Sequence, residues 1–590
     1  MTLKAPWLKH YNNVAHHLDY PEGSMLDVIT ATAQQYPNYK AYSFMGCHTT
    51  YKEMIDEIHR VARAFAAVGI KEDDRVTLCL PNLPQTVLCF YALNLIGAIP
   101  NMIHPLSSEG EIVFYLQDSE SVAVLTLDQF YPKFENVRKK IALPHLIITS
   151  MKDALSPVMK VGYSLTEGRK VPKLPANADV TMWKDLLAMG DAWQGKYEGS
   201  LKPTDPAVIL YSGGTSGKTK GIFLSSLNFN ALAIQTITMD TNFKPQDKIL
   251  SVMPMFHGFG LGISIHTFLV FGGCCLLIPR FNPDTYAQLL AKQKPNYIAG
   301  VPTLYEALLR LPSMEDIDLS CLKGVFSGGD SLSIELKKRF DAFLADHNAS
   351  VQVREGYGTT ECVTASCLTP YNKAKEGSIG IPFPDTYYKI CKPNTCDEQP
   401  FGEEGEICLT GPTLMLGYAN NSEETADTLR QHADGLTWLH TGDLGVMDDE
   451  GFIYFRQRMK RMIISSGYSI YPSQLENVFD AHEKVHMSCC IGVADPLKVQ
   501  KVKAFVMLKP GFEASAEVKD ELMTYCRENI ARYAMPYDIE FRADLPRTLV
   551  GKVAYKILEE EEAQKALART EAEAMGSVLQ HEEGVVEPAI

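Results

Sequence analysis

Residues 209–225, ILYSGGTSGKTKGIFLS, combine glycines, hydroxyls and lysines, the groups that a loop needs in order to hold phosphates. The stretch is not a Walker A loop, G-x-x-x-x-G-K-[ST], because Ser212 stands where that motif has its first glycine. A Walker loop also opens a helix, whereas residues 221–224 have the apolar pattern of a strand. The sequence therefore predicts a strand, a flexible loop and a second strand. The loop residues with hydroxyl, ammonium or unhindered backbone groups are Ser212, Gly213, Gly214, Thr215, Ser216, Gly217, Lys218, Thr219 and Lys220.

Seven segments, this loop included, fall into one ordered pattern. They are YSGGTSGKTKG (211–221), PMFHGFG (254–260), SGGDSLS (327–333), GYGTTE (356–361), TGD (441–443), RMKRMIISSGYSIYPSQLE (458–476) and LPRTLVGKV (545–553). In this order and spacing they resemble the adenylate-forming superfamily of acyl-CoA synthetases, luciferases and peptide-synthetase adenylation domains. The resemblance runs from about residue 25 to residue 558. One such motif is weak evidence, whereas seven in order are strong.

The resemblance implies a nucleotide site built from several of these segments. Tyr357 would stack on adenine, Asp443 would accept from the ribose hydroxyls, and Arg458 would reinforce that grip with its fixed fork of donors. Glu361, which by itself would more often be a solvated carboxylate, would hold Mg²⁺ together with Thr215. The full implied nucleotide-binding set is Ser212, Gly213, Gly214, Thr215, Ser216, Gly217, Lys220, Gly329, Asp330, Glu355, Gly356, Tyr357, Thr360, Asp443, Arg458, Lys460 and Gly467. Asp330 departs from the small residue typical of its position.

The resemblance also implies the catalytic residues. A carboxylate that attacks the α-phosphate of ATP brings two anions together, and a positioned ammonium relieves their repulsion. Lys552 in RTLVGKV is the candidate, although without the other motifs it would be taken for a solvated lysine near the chain end. Lys220, Thr215 and Glu361 complete the implied catalytic set. The family rotates its small C-terminal domain between adenylation and thioester formation, and the resemblance places the hinge at Lys460.

His257 in PMFHGFG would form a gate between the nucleotide and the acyl site, although a histidine among apolar residues is usually a satisfied core residue. A general-base role is not expected, because a carboxylate needs no deprotonation at neutral pH. The other residues implied on the acyl side are Phe256, Gly328 and Gly358.

The substrate prediction depends on the segment MIISSG. Plant coumarate ligases and luciferases typically carry lysines in the corresponding LIKYKG, where this chain has Ile464 and Ser466. The pattern K-x-M-I-x-x-S-G-x-x-x-Y-P is instead similar to bacterial medium- and long-chain fatty acyl-CoA synthetases. It implies that a fatty or other hydrophobic acid reacts with ATP to give acyl-AMP and pyrophosphate. Transfer to coenzyme A then gives acyl-CoA, with ATP, Mg²⁺ and coenzyme A as cofactors.

Alternating strand and helix patterns must hold these loops in place. Met54, Ile58, Val61 and Phe65 lie at helical spacing within residues 51–69. Strands are predicted at 75–80, 122–127, 207–212, 249–254, 296–301, 322–327 and 351–356, with helices around 86–98 and over 333–346. Residues 151–205, rich in Lys, Pro and Gly, are interpreted as an irregular surface excursion.

The predicted fold class is α/β. A large N-terminal domain of α/β sheets with a small β subdomain from about residue 377 precedes a small, mobile C-terminal α+β domain. In the latter, a strand at 504–508, a helix over 515–531 and a charged helix over about 555–575 are expected. The boundary is predicted in RQRMKR, giving an AMP-binding and acyl-binding domain over 1–457 and a domain with the catalytic lysine over 458–590.

Composition limits the cell compartment and the partners. At 590 residues the chain exceeds what one core usually supports, and a net charge of −15 argues against binding nucleic acid. The 14 cysteines show no C-x-x-C spacing. The adjacent pairs Cys274–Cys275 and Cys489–Cys490 lie in apolar runs, as is typical of reduced thiols in a cytoplasmic protein. The N-terminus lacks the pattern of a secretory signal.

Residues 259–279 contain no formally charged residue and are long enough to span a bilayer. Their glycines, His266 and the break at Gly272–Gly273 instead favour a buried helix followed by a core strand. The sequence thus predicts peripheral membrane contact at most, and it leaves a homodimer open.

Three alternatives to an acyl-CoA ligase are considered. The first is an acyl-AMP ligase that loads a separate carrier protein, and the second is a non-catalytic nucleotide or acyl binder that kept the fold. The third, a Walker-type phosphatase, conflicts with the strand–loop–strand pattern.

Overall fold

The computed structural model describes residues 3–143, 145–175, 177–212, 219–465, 468–495, 498–548 and 552–567. The chain divides into two compact units, Met1–Phe455 and Arg456–Ile590. The α-helices are, in chain order, α1 (Met25–Gln35), α2 (Tyr51–Ala67), α3 (Pro84–Ile96), α4 (Glu109–Asp118), α5 (Tyr131–Arg138), α6 (Pro157–Leu165), α7 (Trp183–Ala192), α8 (Ser226–Thr238), α9 (Phe268–Val270), α10 (Pro283–Gln293), α11 (Pro302–Leu309), α12 (Ile334–Asp346), α13 (Ser422–Thr428), α14 (Pro472–Asp480) and α15 (Ala516–Asn529).

The strands are β1 (Lys40–Phe44), β2 (Cys47–Thr50), β3 (Arg75–Cys79), β4 (Ile99–Met102), β5 (Ala123–Leu127), β6 (His145–Thr149), β7 (Thr181–Met182), β8 (Pro206–Ser212), β9 (Lys220–Ser225), β10 (Lys248–Ser251), β11 (Cys274–Leu277), β12 (Tyr297–Gly300), β13 (Gly324–Ser327), β14 (Val353–Tyr357), β15 (Cys367–Leu368), β16 (Ile381–Pro382), β17 (Tyr387–Cys391), β18 (Glu404–Thr410), β19 (Gly417–Tyr418), β20 (Leu429–Gln431), β21 (Thr437–Met447), β22 (Ile453–Arg458), β23 (Ile463–Ser465), β24 (Tyr468–Ile470), β25 (Val485–Asp495), β26 (Val499–Leu508) and β27 (Asp538–Phe541).

Two large, mostly parallel sheets form the body of the first unit. One has the strand order β16-β15-β14-β13-β12-β10-β11-β1-β2, and the other has the order β19-β9-β8-β4-β3-β5-β6-β7. Residues from both sheets and from the helices α1, α2, α3 and α8 pack into one continuous hydrophobic core. The α/β fold class, with a large first domain and a smaller second one, is confirmed.

The predicted strands and helices fall where the apolar patterns indicate. α2 begins at Tyr51, directly after its N-cap Thr50. The Thr50 hydroxyl accepts from the Glu53 N–H while the Glu53 carboxylate accepts from the Thr50 N–H, a capping box. Met54, Ile58 and Phe65 are fully buried on the face of α2 that packs against the core. The predicted strand over 249–254 is shorter in the structure, since β10 ends at Ser251.

The interpretation of residues 151–205 as an irregular excursion is wrong. This segment contains α6, β7 and α7, and β7 extends the second sheet as its edge strand. α7 packs on α2 so closely that a Cβ on Gly190 would lie 2.7 Å from the Cβ of Ala64. The side chains of Trp183 and Leu186, both in α7, are buried. Lys, Pro and Gly concentrate in the loops of this segment and conceal the short apolar stripe of α7.

The uncharged segment over 259–279 is a buried helix followed by a core strand, as predicted. Residues Phe259–Thr267 are π-helical and wholly buried, and β11 follows within the first sheet. His266 lies between two partners, with its Nε2 2.9 Å from Asn230 Oδ1 and its Nδ1 3.1 Å from the Tyr91 hydroxyl. Burial lowers the pKa of His266 to about 3, so the imidazole is neutral. Among the described residues, no helix is both long and apolar enough to cross a membrane.

Two smaller sheets complete the molecule. The first unit contains an antiparallel sheet of order β17-β18-β21-β20, which agrees with the predicted β subdomain. The second unit contains a sheet of order β24-β23-β26-β25, covered by α14, α15 and helical residues 555–567. The rest of the predicted helix over 555–575 lies outside the described residues.

All fourteen cysteines lie in the described part of the chain and are free thiols. Successive strand residues point to opposite faces of a sheet, and the adjacent cysteine pairs follow this rule. Cys274 and Cys275 belong to different core clusters, as do Cys489 and Cys490. The predicted burial of these pairs is confirmed.

Candidate active site

The ends of β13 and β14 bring several predicted glycines together. These strands are parallel neighbours, with Ser327 opposite Glu355, so the residues that follow them meet at one edge of the sheet. A Cβ on Gly328 would lie 3.3 Å from the Gly356 carbonyl oxygen. Gly329 has a φ of +79°, a conformation that favours glycine. Gly328, Gly329 and Gly356 therefore lie together at this edge, and their roles in binding stay predictions.

Asp330 follows these glycines and is exposed. Its Oδ1 accepts from the Ser331 N–H at 3.0 Å, so its carboxylate holds the turn that leads into α12. The role of Asp330 in binding stays a prediction.

Glu355 lies within β14, directly before the predicted glycine and tyrosine. Burial raises the pKa of Glu355 to about 7, with Lys337 lowering that pKa and Asp341 raising it. Hydrogen bonds from Arg354 fix the position of this strand. The guanidinium donates to the carbonyl oxygens of Thr369 at 2.7 Å and Met239 at 2.9 Å.

Tyr357 and Asp443 are in direct contact. The Tyr357 hydroxyl donates to Asp443 Oδ2 at 2.7 Å, joining the end of β14 to the middle of β21. Asp443 is only 2% exposed, and the hydrogen bond offsets part of the cost of burying its charge. Burial, and then the Asp443 carboxylate, raise the pKa of Tyr357, so the phenol remains a donor. The aromatic ring and the carboxylate predicted for adenine and ribose thus lie side by side.

Lys220 and Glu361 share a partner that the sequence motifs do not indicate. The Tyr418 hydroxyl donates to Glu361 Oε1 at 2.9 Å, and Lys220 Nζ lies 4.7 Å from the centre of the Tyr418 ring. Lys220 also forms an ion pair with Glu424. Tyr418 lies in β19, which pairs with β9, and Thr360–Cys362 form a short 3₁₀ turn. Because β19 pairs with β9, the predicted lysine and the predicted magnesium-binding carboxylate both contact the side chain of Tyr418.

The predicted phosphate loop is flanked by two strands, as expected from the sequence. β8 and β9 are antiparallel, and Ser212 pairs with Lys220 at the mouth of the loop. Gly213, Gly214, Thr215, Ser216 and Gly217 lie outside the described residues, and so does Lys218. Because a strand follows the loop, the Walker alternative is not supported.

The predicted gate segment lies against a strained turn. Val363 has φ and ψ of 68° and −60°, and the Thr364 N–H donates to the Cys362 carbonyl at 2.9 Å, which defines a γ-turn. This conformation is unusual for a β-branched residue and is typical of functional sites. A Cβ on Gly258 would lie 1.7 Å from the Val363 carbonyl oxygen, and a Cβ on Gly358 would lie 2.3 Å from that of Thr364.

His257 and Phe256 lie beside this turn and are half-buried. His257 Nδ1 accepts from the Phe259 N–H at 3.1 Å, which places its ring proton on Nε2 when the imidazole is neutral. The Phe256 ring packs 4.3 Å from the His104 ring, measured between centres. The two residues are thus adjacent to Gly258 and the γ-turn, but their role as a gate stays a prediction.

An apolar cavity extends inward from the strand ends. Its volume is about 40 Å³, and its walls include Phe259, Ile263, Phe326, Leu368 and Phe383 together with Gly328, Gly329 and Gly356. Ligand sites usually exceed ~300 Å³, so a long acyl chain requires these aromatic side chains to move. Two hydroxyls line the cavity, Thr236 Oγ1 and Ser327 Oγ, and both are buried without a hydrogen-bond partner among the described residues. Motif reasoning missed the wall residues, since they come from separate elements.

The remaining predicted residues belong to the second unit. Arg458 ends β22, and Lys460 lies in the turn Met459–Arg461, although its side chain is outside the described part. Gly467 and Ser466 are likewise not described, whereas Ile464 is 44% exposed in β23. The Lys552 N–H donates to Thr548 Oγ1 at 3.1 Å and its carbonyl accepts from the Thr548 N–H at 2.7 Å. The backbones of Thr548 and Lys552 are thus paired, and residues 549–551 between them lie outside the described part of the chain.

Comparison with known proteins supplies the family. The model of the AMP-binding enzyme matches residues 29–419, and that of the AMP-binding enzyme C-terminal domain matches residues 474–552. The long-chain-fatty-acid–CoA ligase of Bacillus subtilis strain 168 is 34% identical over 576 residues, covering 96% of this chain and 99% of the relative. The enzyme of the same name from Escherichia coli O6:H1 is 32% identical over 576 residues, with coverages of 95% and 98%.

Among solved structures, ATP-bound MatB from Rhodopseudomonas palustris has the same fold. It is 23% identical to this chain, with a TM-score of 0.79 and coverages of 92% of this chain and 99% of MatB. The site and these similarities define an adenylate-forming enzyme, and the chain belongs to the AMP-binding enzyme family. Within that family it is an acyl-CoA ligase, an acid–thiol ligase. The ligases of this family use ATP, Mg²⁺ and coenzyme A.

Gly258→Ala tests the packing of the gate segment on the γ-turn. The added methyl group meets a backbone carbonyl, which cannot rotate away as a side chain can, and overpacking of this kind costs about 1–3 kcal/mol. We expect a lower midpoint of thermal unfolding and a marked loss of ATP–pyrophosphate exchange.

The matched control is Gly110→Ala in α4, where an added Cβ has nothing within 4 Å. Alanine there should leave activity unchanged and add up to about 1 kcal/mol of stability. Wild-type stability and exchange in the Gly258 variant would show that the close approach does not exist.

Proposed function

We propose that this ligase activates medium- or long-chain fatty acids, forming an acyl-adenylate and pyrophosphate from ATP and then an acyl-CoA. The observation that carries the substrate class is the apolar cavity that opens at the ends of β13 and β14, beside the predicted nucleotide site. Phenylalanine and aliphatic side chains form much of its wall beside the hydroxyls of Thr236 and Ser327, and these apolar groups favour a hydrocarbon chain. Two relatives named long-chain-fatty-acid–CoA ligase, similar along nearly the whole chain, support the same class.

The residues present fit a nucleoside and a magnesium ion. The Tyr357 ring offers a stacking face, and the buried Asp443 carboxylate offers oxygen acceptors to ribose hydroxyls. Glu361 offers oxygen ligands of the kind that Mg²⁺ prefers, with Thr215 proposed beside it. When bound, the ion neutralises phosphate charge. Lys220, already turned toward Tyr418 and Glu424, is proposed to exchange that ion pair for contacts with phosphate.

Phosphate binding by the loop is proposed for Ser212, Gly213, Gly214, Thr215, Ser216 and Gly217, with Thr360 as a further donor. Adenine is proposed to contact Gly329, Asp330, Glu355 and Gly356, and Arg458 to reinforce the ribose contact. Phe256, His257, Gly328 and Gly358 are proposed on the acyl side.

Lys552 is proposed as the catalytic ammonium. The carboxylate of the acid and the phosphates of ATP repel each other, and a lysine whose backbone is paired with Thr548 can hold positive charge where charge shifts toward pyrophosphate. Residues 1–457 are proposed as the AMP-binding and acyl-binding domain, and residues 458–590 as the mobile domain that delivers this lysine. The hinge is proposed at Lys460, with Gly467 near the nucleotide or coenzyme A.

A cytoplasmic location is proposed because all fourteen cysteines are free thiols.

A panel of acids tests the substrate class. Pyrophosphate release should rise along a series of straight-chain acids, since each methylene buried in the cavity contributes about 0.8 kcal/mol, or roughly fourfold in kcat/KM. Aromatic acids of similar size should react poorly, and free coenzyme A should be converted to the thioester. Equal rates with benzoate or coumarate would overturn the fatty-acid proposal, whereas acyl-AMP without thioester would favour a carrier-protein acceptor.

Lys552→Ala tests the catalytic role of the ammonium. We expect acid-dependent pyrophosphate release to fall roughly 10²–10³-fold, because one charge-stabilising donor is removed from the transition state. ATP affinity, measured by calorimetry, should change little. Lys556→Ala, which removes an ammonium four residues away in the same unit, is the matched control and should retain activity. Pyrophosphate release at the wild-type rate in the Lys552 variant would contradict the assignment.

A further inference from the structure

The small antiparallel sheet of the first unit gathers sulfur and nitrogen ligands that the ligase reaction does not use. Cys396 lies in the connection between β17 and β18, His432 directly follows β20, and His440 lies within β21. One ligand atom from each of these residues lies within 4.8 Å of the other two. Cys396 is exposed, whereas His432 and His440 are 5% and 6% exposed.

The two imidazoles are oriented with ring nitrogens facing each other. Nε2 of His432 lies 2.9 Å from Nε2 of His440. On the other side of the His440 ring, Nδ1 lies 2.8 Å from Glu406 Oε2 and 3.5 Å from Cys408 Sγ. A carboxylate at Nδ1 holds the ring proton there and leaves Nε2 as the nitrogen with the lone pair, which accepts from the His432 Nε2–H when no ion is bound. Metal-binding histidines in proteins usually have such a carboxylate partner.

Nearby charges permit a divalent cation. Two positive side chains, those of Lys389 and Arg430, act on His432. The Lys389 ammonium is paired with Asp434 at 3.0 Å, and the Arg430 guanidinium donates to the Asp427 carbonyl oxygen at 2.6 Å. The Lys389–Asp434 pair carries no net charge, while Glu406 and an ionised Cys396 add two negative charges. These two negative charges exceed the single positive charge of Arg430, so the local field permits a divalent cation.

We propose that Cys396 Sγ, His432 Nε2 and His440 Nε2 bind one Zn²⁺ ion, with water as the fourth ligand. One thiolate and two neutral imidazoles form a ligand set typical of zinc, whereas Mg²⁺ prefers oxygen. Binding breaks the Cys396 S–H bond and releases that proton to solvent as the S–Zn bond forms. His432 donates from Nε2 to His440 when no ion is bound, so it also loses its Nε2 proton and takes up a proton at Nδ1, and the imidazole stays neutral. One proton is released in all. The two nitrogens separate slightly to admit the ion. The ion enters from the solvent side, where Cys396 is exposed, and does not pass through the core.

The ion would join three segments of the sheet. It would fasten the β17–β18 connection to the residues flanking β20 and to β21, so it would stabilise this part of the first unit. Glu406 Oε1 accepts from the Gly442 N–H at 2.9 Å, one residue before Asp443. The proposed zinc site is thus connected through one carboxylate to the proposed ribose contact, but it does not depend on which acid the enzyme activates.

Metal analysis of the full-length protein tests the proposal. The protein is incubated with one equivalent of ZnSO₄ in buffer with excess MgCl₂, desalted, and measured by inductively coupled plasma mass spectrometry. Wild type should retain about one zinc per chain, and Cys396→Ser and His432→Gln should each lose it. The double variant Cys47→Ser/His48→Gln, which makes the same exchanges in β2, should retain zinc like wild type. Less than one tenth of an equivalent in wild type, or full retention in Cys396→Ser, would overturn the site.

A spectroscopic test separates ligand loss from misfolding. With CoCl₂ in place of zinc, wild type should show a thiolate-to-cobalt charge-transfer band in the near ultraviolet, and Cys396→Ser should lack it. Because Cys396 is exposed, this variant should keep the wild-type circular dichroism spectrum without metal. An unchanged cobalt band in Cys396→Ser, or none in wild type, would contradict the proposed thiolate ligand.

Discussion

The hydrogen bond from the Tyr357 hydroxyl to the buried Asp443 carboxylate is the interaction on which the proposed nucleotide site depends. It joins one of the large sheets to the small antiparallel sheet. A carboxylate that is 2% exposed is costly unless it is hydrogen-bonded, so the position of each sheet constrains the other. The same contact leaves an aromatic ring and an anionic acceptor next to each other, which is what recognition of a nucleoside requires.

Close backbone approach is a second constraint around this contact. Gly258 and Gly358 both lie against the carbonyls of the strained turn at Val363–Thr364, where a side chain cannot be accommodated. The turn follows directly after the segment that contains Glu361. Steric fit between the glycine loops therefore sets the spacing between the proposed magnesium-binding carboxylate and the proposed acyl gate. Hydrogen bonding sets the spacing between Tyr357 and Asp443, the proposed nucleotide contacts.

The sequence predicted those features that depend on local pattern. The strand–loop–strand context of Ser212 and Lys220 follows from apolar alternation and glycine spacing, and it is confirmed by the pairing of β8 with β9. The buried helix and strand over 259–279 follow from glycines and a histidine in an uncharged segment. α7 was missed because its apolar stripe is short and lies among polar loops.

Contacts between distant segments left no signal in one sequence. Tyr418 and Glu424, which contact Glu361 and Lys220, belong to no motif and reach the site only because β19 pairs with β9. The cavity walls likewise come from several elements. The cluster of Cys396, His432 and His440 lacks the short spacing of a metal motif, since the β17–β18 connection brings its cysteine to the histidines.

The most direct test of the Tyr357–Asp443 site is the affinity for ATP of Asp443→Asn, measured by titration calorimetry. The exchange keeps the shape of the side chain but removes its charge. We predict an increase in Kd of about 10- to 100-fold, the equivalent of losing a hydrogen bond to a charged acceptor. Asp449→Asn, at an exposed position in the turn after β21, should bind ATP like wild type. Unchanged affinity in Asp443→Asn, with the variant folded, would contradict the account.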